Sequence, residues 1–248
     1  MKTRKTEQNA HKNYKKSYFL MIVACTILFL TAIGCKKKDD TSLKAQSSIV
    51  EYTCISDSDS DKSFYVILKN YHGAYWETVI EGVSKAANEI DASVYLGGID
   101  NETDIEGQIE LIDEAIESGA SGILLAPANS DELVESCKKA RESGIYVVLI
   151  DSSINQCEFD ACYMTDNVNA GQMAAKEMLG LLKEAGNLPS EELEVGIMLS
   201  SDTSQAMINR VSGFLEYWSG HSPAKWEIAQ DIYLNDVNVE KAQSDAKK

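Results

Sequence analysis

The chain has 248 residues, a formal net charge of −16 and 44% hydrophobic residues, with 15 Gly and 3 Pro. That is enough for one or two packed units, and the composition argues against a low-complexity or fibrous protein. A body this acidic argues against nucleic acid as a partner, because phosphate contacts need a basic face.

The charge is unevenly placed. Residues 1–34 hold six Lys/Arg and one Glu, whereas the remainder holds 17 Lys/Arg against 38 Asp/Glu, a net of −21. Lys12, Lys15 and Lys16 precede an unbroken apolar run from Tyr18 to Leu30, then Thr31-Ala32-Ile33-Gly34-Cys35 and Lys36-Lys37-Lys38-Asp39-Asp40. A basic start, an apolar stretch and small residues at the end define an export signal over 1–35. The Ala-Ile-Gly-Cys ending is similar to a bacterial lipobox, which implies lipidation at Cys35, although Ala32 stands where that pattern usually has Leu. The alternative is an uncleaved anchor, since Tyr18 to Gly34 is at the short edge of a spanning helix. Either reading ties the protein to the extracytoplasmic face of the cell membrane. Residues 36–62, rich in Lys, Asp and Ser, are expected to form a flexible tether. Ile49–Cys54 interrupts it without an evident role.

From Phe64 the period alternates. Short β-rich runs at Phe64–Leu68, Ser93–Leu96, Gly122–Leu125, Tyr146–Ile150 and Cys162–Met164 predict strands. Helices are predicted between them. The first puts Trp76, Val79, Ile80, Val83, Ala87 and Ile90 on one face, and the second does the same with Ile105, Ile109, Ile112 and Ile116. The third is expected to begin at Asn129, with Glu132 completing a capping box. Continuous apolar strands separated by amphipathic helices imply an α/β fold with a doubly wound parallel sheet. After Thr165-Asp166-Asn167 the logic repeats: a helix over Ala170–Ala185, a strand at Val195–Leu199, a helix over Gln205–Trp218, a strand near Trp226–Tyr233 and a helical start at Val239. The expected organisation is a first lobe over 63–166 and a partial second lobe over 167–248, with a hinge crossing near Asp166-Asn167.

Ligands of open α/β sheets bind beyond the carboxyl ends of strands. Those ends carry Lys69-Asn70-Tyr71-His72-Gly73-Ala74-Tyr75-Trp76, Ala126-Pro127-Ala128-Asn129-Ser130-Asp131, Asp151-Ser152-Ser153 and Ser200-Ser201-Asp202-Thr203-Ser204, with Arg210 a turn or two into the next helix. Aromatic rings beside acid, amide, hydroxyl and guanidinium groups suit a sugar, whose C–H faces pack on rings and whose hydroxyls need Asp and Arg. Plainer roles compete: Trp76 also lies on the apolar stripe, Asp151 is a loop-capping residue type, and Arg210 fits an exposed helix face.

Residues 64–248 resemble the type I periplasmic-binding-protein superfamily, close to the ribose/galactose-type sugar-binding proteins of ABC importers. The resemblance rests on Tyr75-Trp76, Ile123-Leu124-Leu125-Ala126-Pro127-Ala128-Asn129-Ser130-Asp131, Val148-Leu149-Ile150-Asp151, Thr165-Asp166-Asn167 with Ala170-Gly171, and Asn209-Arg210-Val211-Ser212-Gly213-Phe214. It implies two lobes closing on a small carbohydrate, with ligand contacts from Tyr75, Trp76, Asp151, Ser152 and Arg210. It also implies a membrane permease as partner and a monomeric protein; separately, the catalytic and metal-binding motifs missing from the sequence argue against an enzyme, a cofactor or a metal. Ala126 departs from the Asn common in ribose binders, Ser152 from Arg, and Lys69 from a small polar residue, which points away from ribose. Family members continue well past this length, so the resemblance implies a C-terminally truncated second lobe and weak sugar binding by this chain alone.

Cys137 reads as a buried thiol, and a Cys157–Cys162 disulfide stays open. Phosphate-cradle, nucleophile-elbow and paired-Cys motifs are missing, and His11, His72 and His221 are too scattered for a metal cluster. A sugar-responsive repressor would begin with a basic helix-turn-helix instead of an export signal. The remaining alternative is an accessory protein that presents a sugar or autoinducer to a membrane sensor kinase.

Overall fold

A strand flanked by helices on both faces must be apolar on both sides, and alternate residues then feed two separate cores. The computed structural model, which describes residues 48–247, follows that rule. Eight strands and six helices are described: β1 (Ile49–Ser56), β2 (Ser63–Leu68), α1 (Gly73–Ala87), β3 (Ser93–Ile99), α2 (Ile105–Glu117), β4 (Gly122–Leu125), α3 (Val134–Glu142), β5 (Tyr146–Ile150), β6 (Ala161–Tyr163), α4 (Asn167–Glu184), β7 (Leu193–Leu199), α5 (Gln205–His221), β8 (Trp226–Leu234) and α6 (Val239–Asp245). The export signal, Cys35 and residues 36–47 of the expected tether lie outside the described residues. No helix among the described residues is long and apolar enough to cross a membrane.

Six strands form the first sheet in the order β1-β3-β2-β4-β5-β6, parallel from β3 to β6. Tyr65, Ile67, Ile123, Leu125, Val147 and Leu149 point to the face covered by α2 and α3, where they meet Leu111, Ile112, Ala115, Leu133 and Cys137. Val66, Leu68, Val94 and Leu96 point to the opposite face, against Trp76 and Ala87 of α1. Fully burying one such aliphatic side chain stabilises the fold by roughly 1.5–3 kcal/mol.

The expected tether is corrected over 49–56. That stretch is an antiparallel edge strand on β3, with Ile49 opposite Ile99 and Cys54 opposite Tyr95. Tyr52 turns inward, stacks edge-on against Tyr65 with centroids 4.8 Å apart, and donates a hydrogen bond to the Leu111 carbonyl at 2.8 Å. The β-branched and aromatic content of Ile49-Val50-Glu51-Tyr52-Thr53 outweighs the polar flanks on which the tether expectation rested.

A second correction concerns the third helix. Asn129 Oδ1 accepts from the N–H groups of Asp131 and Glu132, and its amide donates to Glu132 Oε1. These bonds close a turn ahead of α3, which starts only at Val134. Side chains of this type compete with helix for backbone donors, so the capping pattern marks a loop here. Conversely, α4 starts three residues earlier than expected because Asp166 caps it, accepting from the Asn169 N–H at 3.0 Å.

The second body is smaller. Strands β7 and β8 form a parallel two-stranded sheet, and Trp218 and Trp226 share a core with Leu179 and Val195. Helices α4 and α5 cross almost backbone to backbone. A β-carbon on Gly171 would stand 1.9 Å from the Arg210 carbonyl oxygen, and one on Gly213 would stand 2.0 Å from that of Val168. Only glycine fits at either point.

Candidate functional site at the strand ends

Sheet order changes direction at β2, because β3 lies on one side of it and β4 on the other. Loops leaving β2 and β4 therefore diverge, and a crevice opens at their carboxyl ends. Lys69 and Asn70 follow β2, Tyr75 and Trp76 lie in the first turn of α1, Glu102 follows β3, and Asp151 follows β5.

Asp151 is the centre of this arrangement. One carboxylate oxygen accepts from the Tyr75 hydroxyl at 2.8 Å, and the other pairs with Lys69 Nζ at 2.8 Å. Its backbone is left-handed, with φ of 67°, a conformation that costs a non-glycine residue roughly 1–2 kcal/mol. The Asp151 N–H to Tyr163 carbonyl bond, 3.0 Å, helps to hold it. Such strain is retained where surrounding contacts over-determine the geometry, and it concentrates at ligand sites. Lys69 is buried, lies 3.8 Å from Glu102 Oε2, and its ammonium sits 5.9 Å from the Trp76 ring centroid. Burial, the hydrogen bond to Asp151 and the charge of Asp151 push the Tyr75 hydroxyl up to about 12, with Arg210 opposing.

The two aromatic residues divide their roles. Tyr75 is 57% exposed and presents an open ring, whereas Trp76 is 6% exposed and belongs to the α1 core. Their rings meet edge to face at 5.1 Å, so Trp76 props Tyr75 from beneath. Arg210 is exposed on α5 and donates through Nη2 to the Oδ1 of buried Asn167 at the start of α4. Ser152 departs from its expected place. It is fully enclosed, with Oγ 3.2 Å from Ser204 Oγ and accepting from the Ala206 N–H at 3.3 Å. The left-handed turn at Asp151 directs the two neighbouring side chains differently, Asp151 to the Lys69–Tyr75 corner and Ser152 to α5.

Several residues escaped the sequence reading. Gln108 is fully buried on α2 and clamps the loop after β4, donating to the Ala126 carbonyl and accepting from the Ala128 N–H. Glu102 is tied to Lys69, and Asn167, read from the sequence only as part of the hinge crossing, is tied to Arg210. Lys69 was legible as a charged residue directly after an apolar strand, whereas Gln108 and Glu102 carried no comparable signal. Tyr71, on the same loop, has a buried hydroxyl without a hydrogen-bond partner. Burial, with the charge of Asp100, raises its ionisation well above the usual phenol range. Cys157 and Cys162 are free thiols.

A cavity of about 240 Å³ adjoins the site, between Glu102, Asn129 and Glu132 on one side and Ser201, Thr203 and Asp236 on the other. A groove of about 270 Å³ lies at the opposite, amino ends of β2 and β4, beside Phe64, Gly122 and Tyr146. Its lining is almost wholly apolar and offers none of the donors and acceptors that hold a polyol. No group of three or more His, Cys, Asp or Glu suited to a metal ion occurs among the described residues.

An open-faced tyrosine, a strained acid and two cations thus gather at the carboxyl ends of a doubly wound sheet, where open α/β sheets take small ligands. Residues 64–248 match the periplasmic binding protein domain, and the chain belongs to that family. It is 27% identical over 130 residues to the D-allose-binding periplasmic protein of Escherichia coli, covering 50% of this chain and 42% of that protein. It is also 27% identical over 157 residues to the D-ribose/D-allose-binding protein of Pseudomonas aeruginosa, covering 60% and 47%. The chain thus spans about half the length of these relatives. Among solved structures, an ABC transporter solute-binding protein from Agrobacterium vitis with bound D-fucose superposes with a TM-score of 0.67 at 29% identity, covering 74% of this chain and 61% of that one. A carbohydrate transporter solute-binding protein from Agrobacterium radiobacter in complex with D-arabinose gives 0.68 at 25% identity, covering 76% and 64%.

Proposed function

We propose that this chain is an extracytoplasmic solute-binding lipoprotein that takes a small carbohydrate at the Asp151 corner and delivers it to an ABC importer. The observation that carries this reading is the Lys69–Asp151–Tyr75 arrangement. Asp151 is an acceptor for sugar hydroxyls, Lys69 and Arg210 are donors, and the exposed Tyr75 ring is an apolar platform for a pyranose or furanose face. Lys69 already neutralises Asp151, so the ligand enters an ion pair and its hydroxyls bridge both partners. Sugars named in the structural relatives, D-fucose and D-arabinose, support a monosaccharide. Contacts that a ligand makes only when the lobes are together shift a hinge equilibrium near Asp166-Asn167 toward closure, and the permease reads the closed shape.

Membrane attachment in this reading is a lipid on Cys35. Because Ser48 already hydrogen-bonds Asp104 through its N–H and hydroxyl, the link between anchor and folded body is residues 36–47. Metabolic labelling with an alkynyl fatty acid tests the anchor: label is expected on the wild type and lost in Cys35→Ala, and equal labelling of both contradicts it. Sugar capture is tested by NMR titration of the full chain with pentoses and hexoses. Binding around the millimolar range is expected, with shifts at Tyr75, Asp151 and Arg210 that vanish in Asp151→Asn. Shifts confined to other regions would contradict the site.

A further inference from the structure

Helix α5 begins in the second body, yet its own sequence does not cap it. Ser204 occupies the capping position and makes no side-chain bond to the first turn. The first N–H groups of a helix have no intrahelical acceptor and need one from elsewhere. Here it comes from the first body. The Gln205 N–H donates to Ser130 Oγ at 2.8 Å, and the Ala206 N–H donates to Ser152 Oγ at 3.3 Å. Ser130 lies in the loop after β4 and Ser152 in the loop after β5.

These bonds form one buried network. The Ser130 hydroxyl donates a hydrogen bond to the Ser153 carbonyl at 2.9 Å, so it accepts from one lobe while donating within the other. The Ser130 N–H donates to the Thr203 carbonyl at 3.1 Å, and Ser152 Oγ lies 3.2 Å from Ser204 Oγ. Ser130, Ser152 and Ser204 are 1%, 0% and 2% exposed. Hydroxyls this enclosed are costly without partners, so the network stands only while both bodies are in contact.

We infer that Ser130 and Ser152 form a latch that caps α5 from across the lobe boundary and holds the second body in position over the strand ends. They are positioning residues: neither contacts the Lys69–Asp151–Tyr75 corner, but α5 carries Arg210. Separating the lobes uncaps two helix amides and leaves the Ser152 and Ser204 hydroxyls without each other until water reaches them. The latch therefore sets the resting balance of the hinge before any ligand arrives, and it does not depend on the ligand being a sugar.

Residue-resolved amide hydrogen exchange on the full chain tests this. Removing an N-cap hydroxyl is expected to speed exchange of the amide it holds about fivefold. Ser130→Ala should release Gln205, and Ser152→Ala should release Ala206, while the amides of β2 and β4 keep their protection. The double variant should also increase the radius of gyration measured by small-angle scattering. Unchanged protection at both amides in the single variants would overturn the latch. So would release of β2 and β4 amides to the same extent, because that reports general loss of packing; the two single variants keep the test readable if the double variant unfolds.

Discussion

The two bodies of this chain are built from the same alternation of strand and helix, but they are unequal in what they bury. In the first, six strands share two cores, and Ile67, Leu68, Leu125, Val147 and Leu149 are entirely enclosed. In the second, two strands rest on two helices, the core is four buried residues, and Met173, Leu181, Leu188 and Ile208 remain exposed. The lesson is that the more deeply packed body is the one that carries Asp151, Lys69 and Tyr75. The second is held by a glycine-enabled helix crossing and by hydrogen bonds to the first. The less deeply packed body is the one that carries Arg210.

The strongest test of that inequality pairs two core truncations. Leu125→Ala is expected to destabilise the first body by about 2–5 kcal/mol and Trp226→Ala the second by about 3–5 kcal/mol. Hydrogen exchange should show the first change releasing amides in both bodies and the second only those of α4, α5, β7 and β8. Equal, global release by Trp226→Ala would break the comparison.

A smaller effect is expected from Gly171→Ala, because the new β-carbon collides with the Arg210 carbonyl oxygen. Overpacking of this kind costs about 1–3 kcal/mol. Denaturation should show it, and exchange should increase in α4 and α5 while the first body keeps its protection. Lys69→Met comes next. It leaves one Asp151 oxygen without its partner, an effect of about 1–2 kcal/mol because Asp151 stays partly open to water. It should weaken sugar binding more than it lowers the melting temperature.

The smallest effect concerns pH. Folding raises the Tyr75 hydroxyl from 10.0 to about 12, so its contribution is complete below pH 10 and is lost as the pH rises toward 12. Spectroscopic titration of Tyr75→Phe against wild type should therefore subtract one phenolate with a midpoint near 12. Subtraction of a phenolate near 10 would show that the hydroxyl is not held by Asp151.

Strands β4 and β5 were legible in the sequence to the residue, since an uninterrupted apolar run between turn signals has few other uses. The aromatic pair and Asp151 were legible as positions at strand ends, and Arg210 as a position in the helix that follows one. Their division of labour was not: the helical stripe placed Trp76 on an apolar face but could not tell that Tyr75 alone would stay open. Nor could spacing show that Ser152, next to Asp151, turns to α5, because a left-handed residue reverses the local alternation. Strand β1 was obscured by polar neighbours, and its place depends on the exposed edge of β3, a feature that no local pattern encodes.

The indole resonances of the three tryptophans give the most direct test of where the ligand binds. Trp76 lies beneath Tyr75 at the site, whereas Trp218 and Trp226 lie in the second core. On titration of the full chain with a monosaccharide that binds, the Trp76 signal should shift, the other two should stay, and Asp151→Asn should abolish the change. A Trp76 signal that stays fixed while Trp218 or Trp226 moves would contradict a ligand site at the ends of β2 and β5.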